Sequence, residues 1–351
     1  MKAPCIVLIL ALFGAGTAAA LTIMSYNVEN LFDAVRDGTE YREFDPGRGT
    51  WNDESFQLRV KALSEVVRKS IAGGPDILLL QEVENGHALQ VLVTKGLRGM
   101  GYAWCVLVPK NDLASNVAVA SRLPIERVRT HAIGPWKGSK KGRFPVRDIL
   151  EAQIEVSGHT LYLFNNHWKS KTEGMKVTEP SRRESASVLA RRIGEILAQD
   201  PAADIVAAGD MNENVDEFAR VGRRYVTALM PAREEAREQV PAGSSIFLVE
   251  TPPLLAGSAG RCVLFDPWFE MQPMARGSYA WQGDWLTVDH MLLSAGLFDQ
   301  RGFTYRRSSF TALKMPFLLD ERGLPHRRSE RGGKNGFSDH LPILLTLDLN
   351  N

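Results

Sequence analysis

The sequence is poor in cysteine and in net charge, and both shortages limit what the protein can be. It has 351 residues, three cysteines and a formal net charge of only +1. Cys5, Cys105 and Cys262 lack the neighbours typical of a zinc site or a catalytic thiol. A nearly neutral chain is not drawn to nucleic acid as a whole, so binding of a polyanion would need a local basic patch.

Long apolar runs are also missing, with one short exception at the N-terminus. Lys2 precedes an apolar stretch at residues 6–13, and small residues follow at 14–20. This order is typical of a secretory signal peptide, and we expect cleavage after Ala20. An uncleaved anchor is the alternative, although the run is shorter than the ~20 residues that a membrane span needs. We therefore expect an exported protein, periplasmic or secreted, whose two remaining cysteines either pair or stay free and buried.

The rest of the chain, residues 21–351, has the composition of one globular domain without repeats or a linker. Apolar residues make up 44% and charged residues 24%, which permits a sizeable core. Periodicity predicts helices at residues 55–70 and 181–199. Residues 232–277 have weak periodicity and are predicted to be an irregular insertion. Short apolar runs predict strands at residues 21–26, 76–83, 117–121, 149–156, 161–164, 204–208, around Val288 and at 341–349. This mixture predicts a layered α/β fold with mixed sheets.

Polar residues follow or interrupt the predicted strands in short clusters. They are residues 26–30, 81–82, 165–171, 209–212 and 338–340, with Asp289 inside an apolar run. Each cluster alone is ordinary, since a Gly-Asp-x-Asn is usually a turn and a glutamate at a strand end is usually solvated. Strand ends in layered α/β folds gather at one edge of a sheet, so we expect these groups to converge.

The residue types in these clusters suit phosphodiester hydrolysis with a hard cation. Such a cation takes oxygen ligands and keeps several waters, which fits Asn27, Glu82 and Asp339. The reaction also needs a group that orients or deprotonates water and donors for the charge that builds on the phosphate. The side chains of suitable type are Asp210, His340, His167 and Asn212.

The ordered set of motifs resembles the endonuclease/exonuclease/phosphatase family. The order is Asn27, Glu82, His167, Gly-Asp-Met-Asn at 209–212, Asp289 and Ser-Asp-His at 338–340, and it extends over nearly all of residues 21–351. The variants at residues 26–32 and 167–171 look most like a bacterial exported branch. The resemblance implies a four-layer sandwich, in which two mixed β-sheets lie face to face and helices cover the outside.

The resemblance also implies a role for each matched residue. Asn27 and Glu82 would hold Mg²⁺, with Mn²⁺ or Ca²⁺ as alternatives, and Asp339 would lie nearby as a metal residue. The catalytic residues would be Asp210, which orients or activates water, His340, which contacts the scissile phosphate, Asp289, which holds the His340 imidazole, and His167. Asn212 would help to position the water and the phosphate.

Several further residues are weaker candidates. Arg147, Lys169 and Lys171 are predicted to bind substrate, although solvated surface positions are an equal alternative for each. Arg143 is a second candidate for the arginine. Trp168 is a candidate for stacking on a base or head group.

Other residues near the motifs have simpler interpretations. Glu29 is either an outer group of the metal site or a rim residue, and His290 is expected to pack rather than to react. Residues 331–335 would form a basic lip or a solvated loop. The pairs Arg182-Arg183 and Arg191-Arg192 are predicted on the outer face of a helix.

We favour a Mg²⁺-dependent phosphodiesterase, with nucleic acid as the substrate. A phospholipid or inositol phosphate substrate is the enzymatic alternative, and exposed apolar segments at residues 245–249 and 252–255 would support the lipid. The non-enzymatic alternative is a catalytically silent binding scaffold. No stable protein partner is predicted.

Overall fold

The computed structural model describes the backbone of residues 5–8 and, in full, residues 20–110, 113–135, 145–233, 240, 243–255, 261–328 and 336–350. Its strands, in chain order, are β1 (Cys5–Leu8), β2 (Ala20–Leu31), β3 (Ile77–Val83), β4 (Trp104–Val108), β5 (Asn116–Ser121), β6 (Ile125–His131), β7 (Ile149–Val156), β8 (His159–His167), β9 (Asp204–Asp210), β10 (Leu229–Pro231), β11 (Ile246–Val249), β12 (Val263–Phe265), β13 (Tyr279–Trp281), β14 (Asp284–Leu286), β15 (Asp289–Leu293), β16 (Phe303–Tyr305), β17 (Thr311–Ala312) and β18 (Ile343–Leu349).

The helices are fewer than the strands. They are α1 (Asp53–Ser70), α2 (Gly86–Val91), which continues into a π-helical turn at Leu92–Gly96, α3 (Met175–Gln199) and the single turn α4 (Glu217–Arg220). Short 3₁₀ turns connect several strands. The Asn52 side chain accepts a hydrogen bond from the Ser55 N–H and caps α1, which begins two residues before the predicted start at residue 55.

Two large mixed sheets contain nearly all of the described strands. The first has the order β1-β4-β5-β3-β2-β18-β16, with β17 also on β18, and the second has the order β10-β11-β12-β15-β9-β8-β7-β6. β13 and β14 form a separate hairpin. A chain cleaved after Ala20 would lack β1, and β4 would then be the edge of the first sheet.

The sheets pack face to face, and helices cover their outer faces. Along β3, Ile77 and Leu79 join the core between the sheets, whereas Leu78 and Leu80 join a second core under α1 and α2. This alternation follows from the two-residue period of a strand. The helix α3 packs on the outside of the second sheet and adds Leu189 and other apolar residues to its core. The predicted four-layer sandwich is confirmed.

Two predictions about elements are wrong. Residues 232–277 are not simply an irregular insertion, because β11 and β12 extend the second sheet and are fully buried. The helix predicted at 181–199 begins earlier, at Met175, and contains Pro180 near its N-terminal end. Proline early in a helix removes few backbone hydrogen bonds, so it does not stop α3.

The sequence left open whether the two cysteines pair and whether a segment could cross a membrane. Cys105 and Cys262 are both buried and free, so they do not form a disulfide. Burial raises the pKa of each thiol to about 12, which makes both chemically inert. Among the helices in the described part of the chain, none combines the length and the apolar character needed to cross a membrane.

Candidate active site

Three neighbouring strands of the second sheet place polar side chains in one row. The register pairs His167 of β8 with Asp210 of β9, and Asp210 with Asp289 of β15. Residues directly opposite each other on adjacent strands have their side chains on the same face. The row is buried, since the exposed fraction of each residue is 5% or less.

The close approach of β8 and β9 explains the glycine of the Gly-Asp-Met-Asn motif. Gly209 has a φ of +128°, and a Cβ at this position would overlap the backbone of Asn166. Only glycine accommodates both constraints. We conclude that Gly209 allows the strand that carries Asp210 to lie directly beside the strand that carries His167.

The first sheet contributes two side chains from an irregular end of β2 and β3. The register between these strands shifts after Asn27, and the register of β3 with β5 shifts around Glu82. Glu82 has a φ of +67°, which is rare for a residue with a side chain. A bulge of this kind redirects the side chain relative to a regular strand, which turns Glu82 toward Asn27 and the second sheet.

Asn27 links the two sheets at the centre of the site. Its Nδ2 donates to Asp210 Oδ2 at 3.1 Å and to Glu82 Oε1 at 3.3 Å, while its Oδ1 accepts the Glu29 N–H at 3.0 Å. His167 Nε2 lies 3.6 Å from Asp210 Oδ2 and 3.8 Å from Glu82 Oε1. The two carboxylates predicted for the metal and for water activation therefore share one polar cluster.

His340 enters this cluster from the segment before β18 and is held by two neighbours. Its Nδ1 lies 2.8 Å from Asp289 Oδ2, which also accepts the Ser278 hydroxyl at 2.5 Å. The Tyr279 ring packs on the imidazole with a centroid separation of 4.6 Å. The other imidazole nitrogen, Nε2, lies 3.8 Å from Asp210 Oδ2. Asp289 and Tyr279 thus fix the orientation of His340 toward Asp210.

The charges at the site shift the pKa values in opposite directions for the two histidines. Burial lowers the pKa of His340, but Asp289 and Asp210 outweigh this effect and raise it well above the ordinary value. Burial lowers the pKa of His167, and the charges of Arg147 and His340 lower it further. Near neutral pH, His340 is therefore an imidazolium and His167 a neutral imidazole.

Burial also raises the pKa values of the carboxyl groups. The pKa of Asp210 rises to about 7, because burial and Asp289 raise it by more than His340 and the bonds from Asn212 and Asn27 lower it. Burial raises the pKa of Glu82, which Arg147 lowers and Asp339 raises. Strongly shifted groups that share one cleft are typical of a catalytic site.

Asp339 lies at the edge of this cluster and is tied to Glu29. The Asp339 N–H donates to Glu29 Oε2 at 2.9 Å, and Asp339 Oδ2 lies 3.2 Å from Arg327 Nη2. Ser338 Oγ donates to the carbonyl oxygen of Asn27 at 2.7 Å, which joins the segment before β18 to β2. Of the two interpretations for Glu29, the structure supports an outer group behind the predicted metal residues.

The predicted substrate-binding residues differ in their surroundings. Asn212 donates from its backbone N–H to Asp210 Oδ1 at 2.9 Å, so it lies at the centre of the site. Arg147 donates to the Ser115 carbonyl oxygen at 3.0 Å, and its charge affects both Glu82 and His167. These two residues are therefore next to the cluster.

Lys169 and Lys171 are engaged with carboxylates outside the cluster. Lys169 Nζ lies 3.1 Å from Glu173 Oε1, and Lys171 Nζ lies 2.6 Å from Oε2 of the buried Glu217. Their role in substrate binding stays a prediction. Arg143 and the basic segment at residues 331–335 lie outside the described residues.

Two interpretations of single residues are wrong. Trp168 is only 1% exposed and its Nε1 donates to Asn166 Oδ1, so it is part of the core and cannot stack on a substrate. Arg182 is fully buried between Glu179 and Glu213 rather than on an outer helix face.

His290 behaves as expected. It packs between Asp266 Oδ2 and the carbonyl oxygen of Glu213, at 2.6 and 2.8 Å, on the face of β15 opposite to Asp289. Burial lowers its pKa, but the charge of Asp266 and these hydrogen bonds raise it overall. Both imidazole nitrogens are occupied, so His290 has a structural role.

The sequence did not point to several residues that support the site. Ser278 and Tyr279 come directly after the weakly periodic residues 232–277 and belong to none of the polar motifs. Gln81 donates from Nε2 to Asn165 Oδ1 at 2.7 Å and joins the two sheets below the cluster. Its place beside Glu82 was visible in the sequence, but its partner 84 positions later was not.

Comparison with known proteins agrees with this fold. A profile described as the endonuclease/exonuclease/phosphatase family matches residues 22–235. The chain belongs to this family, whose members are metal-dependent hydrolases of phosphoester bonds. A 5'-tyrosyl-DNA phosphodiesterase from Caenorhabditis elegans is 25% identical over 221 residues, which are 60% of this chain and 54% of that protein. The chain thus matches about half the length of this relative.

Solved structures share the fold at low sequence identity. Truncated C. elegans TDP2 is 19% identical with a TM-score of 0.52, and the match covers 94% of this chain and 98% of that chain. A family protein from Bacteroides thetaiotaomicron is 17% identical with a TM-score of 0.52, covering 95% and 98%. D. rerio TDP2, solved in complex with a single-strand DNA product, is 17% identical with a TM-score of 0.51, covering 94% and 100%.

Proposed function

We propose that this protein is an exported, Mg²⁺-dependent phosphodiesterase that hydrolyses nucleic acid. The observation that carries the proposal is the geometry around Asp210, whose carboxylate lies within 4 Å of Asn27, His167 and His340. Asp210 is 2% exposed, and its Oδ1 is fixed by the Asn212 N–H. A buried carboxylate beside an imidazolium can accept a proton from water while a phosphate is held nearby.

The residues at the end of β2 and β3 fit a hard divalent cation. Glu82 and Asp339 provide carboxylates, and Asn27 would provide its amide oxygen after the cation replaces the hydrogen bond from Nδ2 to Glu82. Carboxylate and amide oxygens are the donors that Mg²⁺ prefers. The Asp339 charge raises the pKa of Glu82, as expected for two carboxylates near each other. We assign the cation to Glu82 and Asn27, with Asp339 nearby. Bound there, Mg²⁺ would offset negative charge on the phosphate.

A second set of ligand atoms, on Asp210, Asp289 and His340, lies close enough to hold a metal ion. We do not assign the cation to it, because an imidazolium has no lone pair for a metal. His340 Nδ1 is also occupied by Asp289. We infer that His340 acts as the proton donor and that Asp289 holds its imidazolium in place, so the two side chains are close because they form an ion pair.

The protein's own groups divide the reaction between them. Asp210, as a carboxylate, orients the attacking water and accepts its proton. The His340 imidazolium presents Nε2–H to the phosphate, where it stabilises the charge that develops on oxygen. His167 is neutral and donates or accepts a hydrogen bond at Nε2, while Arg147 supplies positive charge at the edge of the site. Each role follows from the protonation state that the surroundings favour.

Nucleic acid is the favoured substrate because of the relatives. The curated relative is a 5'-tyrosyl-DNA phosphodiesterase, and one structural neighbour holds a single-strand DNA product. The apolar segment proposed for lipid contact does not favour a phospholipid, because Ile246–Val249 is buried in the second sheet. At Pro252–Leu255, Leu254 is the exposed large apolar residue, with 55% of its surface accessible.

A substrate panel tests this proposal. Purified residues 21–351 are incubated with Mg²⁺ and single-stranded DNA, plasmid DNA, RNA, sphingomyelin or inositol phosphates, and product is quantified. We expect DNA or RNA to be cleaved faster than the other substrates by at least about tenfold. Hydrolysis of lipid or inositol phosphate alone would reject the nucleic-acid proposal, and hydrolysis of none would reject the enzyme. At a low, fixed Mg²⁺ concentration, Glu82→Gln should hydrolyse the substrate more slowly than the wild type. The exposed Glu195→Gln is its matched control and should match the wild type.

Export is the remaining part of the proposal, and the N-terminal pattern supports it. Intact-mass measurement of protein recovered from the periplasm or medium should give a chain that begins at Leu21. Recovery of the full-length chain from the cytoplasm alone would contradict export.

A further inference from the structure

Three carboxylates meet at a second place, away from the cluster around Asp210. Asp37 and Glu40 belong to the loop after β2, and Glu84 follows the last residue of β3. One ligand oxygen from each lies within 4.8 Å of the other two. Asp37 is exposed, Glu40 is half-buried and Glu84 is buried, so burial increases from the first carboxylate to the third.

Glu84 shows that this place is more than a set of surface acids. The residue is 3% exposed, and its Oε2 accepts the Asp33 N–H at 2.6 Å. Its Oε1 is buried and has no hydrogen-bond partner among the described residues. A buried carboxylate oxygen without a partner costs free energy unless something compensates its charge. The unpartnered Oε1 is therefore available to a ligand that binds a carboxylate oxygen.

The described residues do not supply that positive charge. Neither lysine nor arginine forms an ion pair with Asp37, Glu40 or Glu84 in the described parts of the chain. The nearby Arg36 pairs with Asp45, and His87 pairs with Asp33. Asp33 adds a fourth negative charge behind Glu84. A cation from solution can therefore reach these carboxylates without displacing a lysine or arginine among the described residues.

We propose that Asp37, Glu40 and Glu84 form a Ca²⁺ site that is separate from the catalytic cation. Two oxygens on opposite sides of one Ca²⁺ lie about 4.8 Å apart, because each bond is about 2.4 Å long. One oxygen of each carboxylate lies within 4.8 Å of the other two, so a single Ca²⁺ can contact all three. Ca²⁺ also accepts irregular sets of oxygen ligands, whereas Mg²⁺ requires near-ideal octahedral geometry. Water completes the coordination on the solvent side, where Asp37 is exposed.

Such a cation would fasten the loop after β2 to the end of β3. The same loop region contacts the wall of the catalytic cleft: Trp51 Nε1 donates to the Asp33 carbonyl oxygen at 2.7 Å, and the Arg328 guanidinium lies 4.5 Å from the Phe44 ring centroid. The Arg328 N–H in turn donates to Glu29 Oε2. The Ca²⁺ site is thus linked to the cleft through packed side chains, and its primary effect is on stability.

Calcium binding to a protein with a disabled catalytic site tests the proposal. The full chain carrying Glu82→Gln and Asp339→Asn is titrated with CaCl₂ by calorimetry, and its Tm is measured with and without Ca²⁺. We expect one Ca²⁺ to bind with a Kd of about 10⁻⁴–10⁻³ M, as in half-exposed extracellular modules. Bound Ca²⁺ should raise the Tm, since it binds only the folded state.

Variants in the loop then locate the binding. Adding Asp37→Asn and Glu40→Gln should weaken Ca²⁺ binding by at least about tenfold and remove the rise in Tm, because two ligand charges are lost. Asp37→Asn keeps the oxygen that accepts the Thr39 N–H, and Glu40→Gln keeps one of the two oxygens that accept the Asp37 and Gly38 N–H groups. These hydrogen bonds are exposed, so the Tm without Ca²⁺ should change little. Asp45→Asn, in the same loop region but outside the three, is the matched control and should bind normally.

Two results would overturn the proposal. One is the absence of Ca²⁺ binding in the protein with the disabled catalytic site. The other is unchanged binding after Asp37→Asn and Glu40→Gln. Glu84→Gln provides a second check on the buried ligand and should also abolish binding. If that variant fails to fold, the loop variants still decide the question. Hydrolytic activity is not a readout here, so this test and that of the proposed function fail independently.

Discussion

The pairing of His340 with Asp289 determines the protonation state of the imidazole at the site. Asp289 Oδ2 lies 2.8 Å from Nδ1 and is itself buried, so its charge acts on the imidazolium with little screening. The resemblance to the family implied this pair, whereas local sequence patterns did not, because 51 residues separate the two positions. Tyr279, which packs on the same ring, belongs to no motif at all. The role of a residue could therefore be predicted where a family motif contains it. It could not be predicted where only the fold brings the residue next to its partner.

Replacing Asp289 by asparagine should change both the rate and its pH dependence. The pKa of His340 would fall toward its ordinary value, so the imidazolium would be lost at a lower pH. We expect the alkaline limb of the kcat profile to move to lower pH and kcat at pH 7 to fall by about 10²–10⁴-fold. The measurement is kcat against pH on a DNA substrate.

The control for this substitution is Asp284→Asn, on the exposed β13–β14 hairpin, which should leave the profile unchanged. An alkaline limb that stays in place in Asp289→Asn would contradict the assigned partnership. A uniform loss of rate without a shift would mean that Asp289 acts only as a structural support.

At the scale of the elements, the sequence predicted strands well wherever apolar runs were continuous. β7 has the predicted bounds, and β9 and β18 differ by about two residues. The failures have physical reasons. β11 and β12 are only four and three residues long and lie between turns, so alternation has no room to show. Pro180 hid the first turns of α3, because proline usually marks a boundary.

The start of β9 holds a buried carboxyl that connects the two sheets. Asp204 Oδ2 accepts the N–H of Phe303 in β16 at 2.9 Å, and its Oδ1 is buried without a partner among the described residues. Burial raises the pKa of Asp204 to about 7, with smaller contributions from Asp299 and Asp200. In the unfolded chain the group has a pKa of about 3.9. The folded state therefore binds the proton more tightly.

This difference predicts how stability depends on pH. The contribution of Asp204 is fully present below about pH 4 and is lost as the pH rises through about 7. We expect the wild-type Tm to fall more steeply between about pH 4 and 7 than the Tm of Asp204→Asn, measured by thermal unfolding. Asp284→Asn, at an exposed position that does not contribute to the Asp204 shift, is the control and should follow the wild type. Parallel curves for wild type and Asp204→Asn would contradict the raised pKa.

At the scale of the whole molecule, the site exists because two sheets meet with a defined register. The fold class and the identity of the polar clusters could be predicted, since both depend on local patterns and on their order. The contacts could not: Asn27 reaches Asp210 across 183 positions, and Glu29 reaches Asp339 across 310. A shift of one residue in β9 would turn Asp210 to the opposite face of its sheet. Such long-range register has no signature in a single sequence.

The net charge of +1 is consistent with a site that carries its own local charges. Arg147 and the His340 imidazolium face Glu82, Asp210 and Asp339 in one cleft, so attraction to a phosphate depends on the bound cation more than on the molecule as a whole. This balance makes the metal dependence of hydrolysis the property that follows most directly from the proposed site.

The most direct test is therefore the Mg²⁺ dependence of DNA hydrolysis by the wild type and by Glu82→Gln. After removal of metal with EDTA, we expect the wild type to be inactive and to recover when Mg²⁺ is added. Glu82→Gln should need at least about tenfold more Mg²⁺ for its half-maximal rate, because a charged ligand is lost. Hydrolysis by the metal-free wild type, or an identical Mg²⁺ titration for Glu82→Gln, would contradict the account.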